Sequence, residues 1–346
     1  MPKILAIETS CDETAAAVAS YSASSFSVLG SVVASQIKLH VATNGVVPEV
    51  AARAHIQKIA PVIRGALRKA GLNLNDIDMI AVTNGPGLSP SLLVGVEFAK
   101  GLAIANNKPL MPVNHMLGHL YSALAAQPKM PMPSMNLIVS GGHTYLVFLD
   151  GKNGKPGKYK VIGSTVDDAA GEAFDKVAKM LELSYPGGPS VSKAALQGKH
   201  DYKFPRPMLH DKNYDFSFSG LKTAVLYKIA AEKLDAHDPQ VKSDISLSFE
   251  NAVVDVLVQK TIRAAKEYKS KSITLSGGVA ANKKLRKELA KAAKTIGLSL
   301  AVPDFELCTD NAIMIANAAV IMQRQGAKPV NPTKVTARPD LDLQKN

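Results

Sequence analysis

The feature that most limits the possible fold of this chain is a repeated local pattern. Three apolar segments are each followed by a turn of small polar residues. They are LAIETSCDET (5–14), LIVSGGH (137–143) and ITLSGGV (273–279). Each turn alone is a weak signal, because a Ser-Gly-Gly sequence is commonly only a tight turn. However, such strands alternate with helix-periodic stretches along the chain, which indicates an α/β fold. Together they predict a duplicated α/β core, with a ligand in the cleft between its two halves.

The length of the chain suits two lobes better than one core. At 346 residues it is longer than a single ordinary core, and its 46% hydrophobic and 20% charged residues are typical of globular proteins. We place an N-terminal lobe at 1–110 and a C-terminal lobe at 111–325. We expect a helical insertion around 167–250 and a mobile C-terminal tail at 326–346.

Neither secretion nor membrane insertion is indicated. KILAIE near the start already has the pattern of a strand, which leaves no room for a cleavable leader. The longest apolar run, SLLVGVEFAKGLAIA, contains Glu97 and Lys100 and is too short to span a bilayer. Two cysteines, Cys11 and Cys308, imply no disulfide scaffold. We therefore expect a cytoplasmic protein that does not contact a membrane.

The net charge of +12 points to a polyanionic partner. A single-sign excess of this size attracts polyanions and raises their rate of encounter. The alternative is a basic composition that only serves solubility. Part of the excess is clustered in KEYKSKS (266–272) and KKLRKELAKAAK (283–294), and this clustering favours a nucleic acid.

The glycine-containing turns suggest a nucleotide site. In SGGHT and SGGVAAN, the glycines allow backbone N–H groups to approach phosphate oxygens closely. A helix predicted to begin near Asn282 would favour an anion or a ribose at its N-terminus. The turn IETSCDET adds hydroxyl groups and the carboxylates of Asp12 and Glu13. An adenine nucleotide is the functional interpretation, and ordinary strand-end turns are the alternative.

The segment NHMLGHL contains two histidines, His115 and His119, on one face of a predicted helix. A metallopeptidase helix of the His-Glu-x-x-His type needs glutamate where this chain has Met116, and Gly118 weakens the helix. Peptide hydrolysis by that mechanism is therefore disfavoured. The pair still suits a transition metal if Asp310 of CTDNA supplies a third ligand. The alternative is a pair of histidines without a ligand.

Two further motifs leave their roles open. VDDAAGEAFDKVAKML (166–181) is either a solvated acidic face or a helix that directs Asp175 towards a hydroxyl or ammonium group of a ligand. FSFSGLKTA (216–224) either caps a helix or places Lys222 near an anion.

Ten short segments follow one another along about residues 3–320: IETSCDET, GVVPEVAARAH, NGPGLSPSLLVG, NHMLGH, VSGGHT, DDAAGEAFDK, YPGGP, FSFSGLKTA, SGGVAAN and CTDNA. In combination and order they resemble the TsaD family, the universal tRNA threonylcarbamoyladenosine transferases, and the layout is similar to that of bacterial members. The resemblance implies the duplicated actin/Hsp70/sugar-kinase-like fold, with two lobes and a central ligand cleft. One departure is Leu117, where many members have glutamate.

The resemblance also implies a reaction: threonylcarbamoyl passes from threonylcarbamoyl-adenylate to N6 of adenosine 37 in tRNAs that read codons beginning with A, and AMP leaves. It implies one divalent transition metal, iron in preference to zinc, on His115, His119 and Asp310. Asp12 and Glu13 match acidic positions of the family's active site, and we take them as the catalytic carboxylates. The implied substrate-binding residues are Ile138, Val139, Ser140, Gly141, Gly142, Asp175, Gly188 and Asn282.

Bacterial members of the family imply two protein partners besides tRNA, a paralogous TsaB-like subunit and a TsaE-like ATPase. An ATP-dependent small-molecule kinase of the same fold is the alternative function, and it would need a base facing a sugar pocket but no histidine pair. A non-catalytic nucleotide-binding paralogue is a further alternative. Such a paralogue is expected to lack the set His115, His119 and Asp310, which this chain retains.

Overall fold

The computed structural model describes residues 1–152 and 155–345, which divide into two compact units. Unit 1 comprises Met1–Ala126 and Thr309–Asn346, and unit 2 comprises Gln127–Cys308. Each unit contains one five-stranded mixed sheet with helices packed against it. The fold is therefore a repeated α/β arrangement.

The described residues form ten strands: β1 Lys3–Glu8, β2 Glu13–Tyr21, β3 Phe26–Ser35, β4 Met79–Gly85, β5 Leu110–Asn114, β6 Ser134–Val139, β7 Thr144–Lys152, β8 Lys155–Ser164, β9 Ser272–Ser276 and β10 Ser299–Ala301. The α-helices of the same residues are α1 Ile37–Val41, α2 Pro48–Ala70, α3 Ser89–Ala105, α4 His115–Ala126, α5 Ala170–Met180, α6 Gly187–Ala195, α7 Ser219–Ala231, α8 Pro239–Glu267, α9 Lys283–Thr295 and α10 Ala312–Arg324. None of these described helices has both the length and the hydropathy that crossing a bilayer requires.

The sheet of unit 1 has the strand order β3-β2-β1-β4-β5. Strand β1 pairs antiparallel with β2 and parallel with β4, so its last residues lie at the edge of the sheet where β4 also ends. Leu5 and Ile7 of β1 and Val82 of β4 form a core with apolar side chains of α2 and α3. Helix α10 packs against β1, β2 and α4. This packing places the start of α4 and the start of α10 within the same unit.

The sheet of unit 2 has the order β10-β9-β6-β7-β8. Strand β6 pairs antiparallel with β7 and parallel with β9, and β9 pairs parallel with β10. The core beside this sheet contains four phenylalanines that are almost completely buried, Phe174, Phe216, Phe218 and Phe249. Parallel pairing of β6 with β9 brings their carboxyl ends, and so the two Ser-Gly-Gly turns, to one edge.

The unit boundaries differ from the lobes expected at 1–110 and 111–325. Strand β5 pairs with β4, and α4 packs against α10, so unit 1 extends to Ala126 and the chain re-enters it at Thr309. Sequence patterns are local, whereas this boundary depends on pairing between distant segments. The expected helical insertion around 167–250 contains α5, α6, α7 and the first part of α8.

The C-terminal segment, expected to be a mobile tail, packs onto unit 1 over its described residues 326–345. Val330 bridges Leu110 at the end of the sheet, and the N–H of Arg338 donates to the carbonyl oxygen of Asn84 at 2.7 Å. Leu341 and Leu343 are buried. The apolar residues spaced along this polar segment, such as Leu341 and Leu343, were the sequence signal that it packs onto unit 1.

Candidate functional site

The two histidines lie at the start of α4, directly after β5. His115 is the first residue of the helix, and the side-chain oxygen of Asn114 accepts from the N–H of Met116 at 2.8 Å, which satisfies a free N–H of the first turn. His115 and His119 are one helical turn apart, and their rings meet edge to face with centroids 4.8 Å apart. The expected placement on one helix face is therefore observed.

Asp310 reaches the histidines from the segment before α10. Asn311 caps this helix, because its side-chain oxygen accepts from the N–H of Met314 at 3.0 Å. Gly118 of α4 faces α10, and a Cβ atom at this position would lie 2.9 Å from Cδ1 of Ile315. The missing side chain thus lets the two helices approach each other closely.

The three side chains form a suitable donor set for a metal. Oδ1 of Asp310 lies 3.3 Å from Nε2 of His115 and 3.2 Å from Nε2 of His119. The three ligand atoms are all within 4.8 Å of one another. Two imidazole nitrogens and one carboxylate oxygen are typical ligands of divalent first-row transition metals. Nε2 of His115 and Nε2 of His119 both face Oδ1 of Asp310. One cation bound among these three atoms would replace the two contacts between the imidazole rings and the carboxylate.

A buried carboxylate contacts His115 on the side of the ring that faces away from Asp310. Nδ1 of His115 lies 3.0 Å from Oε2 of Glu8 and 3.1 Å from the hydroxyl of Ser10, and Thr83 donates to Glu8 at 2.6 Å. Such a carboxylate contact to the second ring nitrogen fixes the orientation and tautomer of a metal-binding histidine. Glu8 was missed from sequence, although it is a charged residue that directly follows the apolar residues 4–7 of β1 and is fully buried.

The electrostatics of this cluster favour a positive charge among its carboxylates. Burial lowers the pKa of His115, but Asp310 and Glu8 outweigh it and raise this pKa well above the usual range. Burial opposes ionisation of Asp310 and Glu8, yet the neighbouring His115 holds the pKa of each carboxyl below its usual value. For His119, burial dominates and lowers the pKa despite Asp310.

The predicted acidic pair lies at the turn between β1 and β2. Glu13 is the first residue of β2 and is buried, and Asp12 is half-buried. Burial, followed by the charges of Asp12 and Asp310, raises the pKa of Glu13 to about 10. Glu13 therefore holds its proton at neutral pH, which separates the chemical roles of the two carboxyls.

A histidine of α2 holds the same turn in place. His55 is fully buried, and its ring nitrogens lie 2.8 Å from the hydroxyl of Thr14 and 3.0 Å from the carbonyl oxygen of Cys11. These two partners flank Asp12 and Glu13 in the chain. In the sequence, His55 belongs to the segment GVVPEVAARAH, and nothing in that segment indicated a role for this residue.

The two Ser-Gly-Gly turns of unit 2 lie side by side. Gly277, with φ +89°, abuts the carbonyl oxygen of Val139, where a Cβ atom would lie only 2.4 Å away. In the first turn, the N–H of Ser140 donates to the carbonyl oxygen of His143 at 2.8 Å, while Gly141 and Gly142 are exposed. Exposed glycine backbone at the end of parallel strands is suitable for an anion or nucleotide.

Two of the predicted substrate-binding residues are differently placed. Ile138 and Val139 lie within β6, their side chains are completely buried, and they pair with Tyr145 and Thr144 of β7. Their side chains therefore do not reach the surface in this structure. The exposed part of the segment begins after the strand.

Helix α6 connects Asp175, Gly188 and Asn282. Oδ1 of Asp175 accepts from the N–H of Gly187 at 2.7 Å at the start of α6. Gly188 follows, and a Cβ atom there would meet open space. One turn later, the hydroxyl of Ser192 lies 2.9 Å from Nδ2 of Asn282. The structure thus groups three residues that are far apart in sequence.

Asn282 is oriented by a second buried carboxylate. Its Nδ2 donates to Oε1 of Glu250 at 2.7 Å, while its Oδ1 caps α9 by accepting from the N–H of Leu285 at 2.8 Å. Glu250, 5% exposed, also accepts from Ser192. Sequence reasoning missed Glu250, and its charge within the largely buried middle of α8 was the available signal.

The structure also gives partners to residues of the two open motifs. Asp167 caps α7, because its Oδ1 accepts from the N–H groups of Phe218 and Ser219 at 2.9 and 3.2 Å. Lys222 donates to Asp168 at 2.9 Å, so FSFSGLKTA contains the capped start of α7 and its lysine is paired with a carboxylate.

Comparison with known proteins identifies the family. The model of the TsaD family, tRNA N6-adenosine threonylcarbamoyltransferase, matches residues 27–317. A protein of that name from Thermosipho melanesiensis is 48% identical over 341 residues, 98% of this chain and 99% of the relative. This chain belongs to the TsaD family. The Bacillus subtilis member is 47% identical over 343 residues, 98% of this chain and 95% of its own length. The family and the transferase class predicted from sequence are confirmed.

Solved structures support the fold class independently. HypF of T. kodakarensis matches 94% of this TsaD-family chain and 48% of its own chain, with a TM-score of 0.62 and 16% identity. Component A of the Acidaminococcus fermentans (R)-2-hydroxyglutaryl-CoA dehydratase matches 94% of this chain and 100% of its own, with a TM-score of 0.54 and 14% identity. At these identities the similarity concerns the fold, and it confirms the predicted duplicated actin/Hsp70/sugar-kinase-like class.

Proposed function

We propose that this TsaD-family chain transfers the threonylcarbamoyl group from threonylcarbamoyl-adenylate to N6 of adenosine 37 in tRNAs that read codons beginning with A. The observation that carries the proposal is the match to transferases of that name over 98% of the chain. The convergent donor set His115, His119 and Asp310 supports it further. The match does not favour the alternative function, an ATP-dependent small-molecule kinase.

The donor is already activated, because a carbamoyl adenylate is a mixed anhydride. N6 attacks the carbamoyl carbon, the bond from this carbon to the phosphate oxygen breaks, and AMP leaves. A divalent transition metal on His115, His119 and Asp310, iron in preference to zinc, would supply Lewis-acid charge for carbamoyl transfer. Glu8 and Ser10 keep the ring of His115 oriented for this set.

One carboxylate of the β1–β2 turn takes up the proton that N6 loses. Glu13 holds a proton at neutral pH, since its pKa is raised to about 10 by burial and by Asp12. We therefore assign the acceptor role to Asp12 and a hydrogen-bonding role to Glu13. His55 fixes the backbone of this turn through Cys11 and Thr14.

Within unit 2, we assign residues to binding of the adenylate. The exposed backbone of Gly141 and Gly142, together with Ser140, would contact the phosphate, where N–H groups stabilise developing negative charge. Asp175, Gly188 and Asn282 would contact the nucleoside, held by the hydrogen bonds around α6. For Ile138 and Val139, burial leaves backbone contacts as their contribution.

The protein acts on tRNA in the cytoplasm, and a TsaB-like subunit and a TsaE-like ATPase are its proposed partners. The target adenosine lies in an unpaired loop, so it enters a pocket at small unstacking cost. The net charge of +12 supports binding of a polyanion of this kind.

Mass spectrometry of nucleosides tests the proposal. Unmodified tRNA is incubated with threonine, bicarbonate, ATP, an adenylate-forming enzyme and the full chain, with and without the two accessory proteins. Threonylcarbamoyladenosine is expected, and its yield should fall at least about tenfold with Asp310→Asn. Absence of the product in all reactions, or phosphorylation of a sugar instead, would contradict the proposal.

A further inference from the structure

Helix α9 of unit 2 presents a lysine face without a role in the site described above. The helix carries six basic side chains and one acidic side chain over Lys283–Thr295. Its exposed lysines are Lys283, Lys287, Lys291 and Lys294. Their spacing of four, four and three residues puts them on one face of the helix, along about 16 Å.

These four lysines have no carboxylate partner among the described residues, in contrast to several lysines of other helices. Lys100, Lys176 and Lys228 each pair with a glutamate three or four residues away on their own helices. Among the described residues, no carboxylate lies within 4.0 Å of the four lysines of α9, although Glu288 is on the same helix. Their charges are therefore not neutralised within the protein.

The start of α9 is electrostatically unfavourable for basic residues. Lys283 and Lys284 occupy the first turn, which contains no acidic residue. The partial positive charge of a helix N-terminus favours acidic side chains there and disfavours lysine by a few tenths of a kcal/mol or more. Helix stability therefore does not explain the lysines of the first turn, although it suits Lys294 in the last turn.

The second basic cluster of the sequence lies in the segment that enters β9, close to where the chain leaves α9. Lys266, Lys269 and Lys271 are exposed at the end of α8 and before β9. Helix α8 packs against α9, and Ser272 of β9 pairs with Ser299 of β10, shortly after α9 ends. The segment before β9 and the end of α9 therefore meet at one end of the sheet of unit 2.

We propose that this lysine face, formed by Lys283, Lys287, Lys291 and Lys294 and extended by Lys266, Lys269 and Lys271, binds the phosphodiester backbone of the tRNA substrate. The proposal rests on the proposed function for the identity of the RNA. Rows of ammonium groups several ångströms apart match the repeated negative charge of a nucleic-acid backbone. Such contacts position the RNA without reading its sequence.

Unit 2 offers a matched control with four exposed lysines at the other edge of the same sheet. Lys152, Lys155, Lys158 and Lys160 lie on β7 and β8, and β8 is an edge strand. Lysines on edge strands have an ordinary explanation, since they prevent pairing with other chains. Replacing these four by alanine changes the net charge as much as replacing the four lysines of α9.

The test measures fluorescence anisotropy of labelled, unmodified tRNA with the full chain at several salt concentrations. Replacing the four lysines of α9 by alanine should weaken binding at least about tenfold and reduce the slope of log K against log salt by about 3. The control variant should stay within about threefold of the original chain. Alanine is the best helix former, so α9 should remain folded, which circular dichroism checks.

Several outcomes would overturn the proposal. They are an equal loss of binding in both variants, no loss in the α9 variant, or no salt-dependent tRNA binding by the unaltered chain. Sedimentation with phosphatidylserine vesicles tests lipid as the alternative ligand. If the α9 variant lost vesicle binding but kept tRNA binding, the lysine face would be assigned to lipid.

Failure of the transferase activity is a separate result, because the anisotropy measurement needs no threonylcarbamoyl donor, whereas nucleoside analysis reports the reaction itself. At saturating tRNA, kcat of the α9 variant should be unchanged while KM for tRNA rises.

Discussion

At His115, one imidazole ring connects two carboxyl groups from opposite ends of the chain. Its Nδ1 faces Glu8, and its Nε2 faces Asp310. Since each ring nitrogen has a defined partner, the ring has little freedom to rotate. This single residue therefore links the end of β1 to the proposed metal ligands.

Glu8→Gln is expected to weaken metal binding without removing a ligand. The amide removes the negative charge that contacts Nδ1 of His115. Loss of such a contact to a metal-binding histidine typically lowers metal affinity by about 10- to 100-fold, and a decrease of about that size is expected here. Competition titration with a chelating dye measures the affinity for Zn²⁺ and Fe²⁺. Asp310→Asn should weaken it more, while His210→Ala, at an exposed histidine, should leave it unchanged. Unchanged affinity in Glu8→Gln would contradict the role of this carboxylate.

Glu13→Gln is expected to raise stability in neutral and alkaline solution. Burial raises the pKa of Glu13 to about 10, so the folded chain keeps a proton that the unfolded chain releases above its ordinary pKa. Stability is therefore full below about pH 4 and declines as pH rises towards 10. Glutamine cannot ionise, so Tm at pH 8 should rise by at least about 2 °C and change little at pH 4. A lower Tm at pH 8, measured with chelator present, would contradict this.

His55→Ala is expected to loosen the turn that carries Asp12 and Glu13. It leaves the hydroxyl of Thr14 and the carbonyl oxygen of Cys11 without their buried partner. The free energy of unfolding should fall by about 1–3 kcal/mol. Hydrogen exchange in residues 9–14 should accelerate, and kcat should fall more than KM rises. His55→Gln keeps a hydrogen-bond donor and an acceptor, so it should recover part of the stability and part of kcat. Equal stability and equal kcat in the original chain and both variants would contradict the role of His55.

At the scale of elements, the closeness of α4 and α10 decides whether the metal ligands meet. Gly118 removes the side chain that would contact Met314 and Ile315, and Asn311 starts α10 directly after Asp310. The glycine that weakens a predicted helix in the sequence therefore serves packing between two helices. A glycine costs about 1 kcal/mol in a helix interior, and the close helix contact offsets this cost.

Asp167→Ala is expected to destabilise α7. The carboxylate caps this helix and also accepts from the hydroxyls of Ser217 and Ser219, both at 2.6 Å. Loss of such a cap typically costs about 1 kcal/mol. Urea unfolding of the variant, with Asp201→Ala at an exposed aspartate as control, measures the loss.

The same cap should depend on pH. Burial opposes ionisation of Asp167, but the hydrogen bonds from Ser217 and Ser219 outweigh it and hold its pKa below the usual range. The stabilisation is therefore present above the ordinary aspartate pKa of about 4 and is lost as pH falls through the lowered value. The difference between Asp167→Ala and the original chain should shrink at low pH, and a constant difference would contradict the assignment.

At the scale of the whole molecule, the proposed metal ligands belong to unit 1 alone. A metal that binds only the folded state stabilises it, by an amount that grows with the ratio of metal concentration to Kd. Adding Zn²⁺ or Fe²⁺ to chelator-treated protein should therefore increase hydrogen-exchange protection in β1, α4 and the start of α10. Strands β6 and β7 of unit 2 act as the internal control. Equal protection of both units, or protection confined to unit 2, would contradict the site.

Much of the fold class was accessible from sequence, because period-2 and period-3.6 patterns reflect local geometry. The strands around LAIETSCDET, LIVSGGH and ITLSGGV, and the placement of His115 and His119 on one helix face, follow from such patterns. The unit boundary did not follow from them, because β5 and α4 belong to unit 1 through pairing with β4 and packing on α10. The exclusion of the Ile138 and Val139 side chains from the surface likewise depends on the neighbours of β6.

The sequence by itself determined the family, the transferase class and the histidine pair, since ordered motifs and helical spacing need no tertiary contact. The sequence motifs also named Asp310, but only the tertiary structure brought it to the histidines and showed that Glu8 contacts His115. Asp310 meets His119 across 191 positions, and Glu8 reaches His115 across 107. The structure also showed that Asp167 caps a helix and that the four exposed lysines of α9 have no carboxylate partner among the described residues. The physical reason is that charges act through space, so their partners become known only when distant segments have packed together.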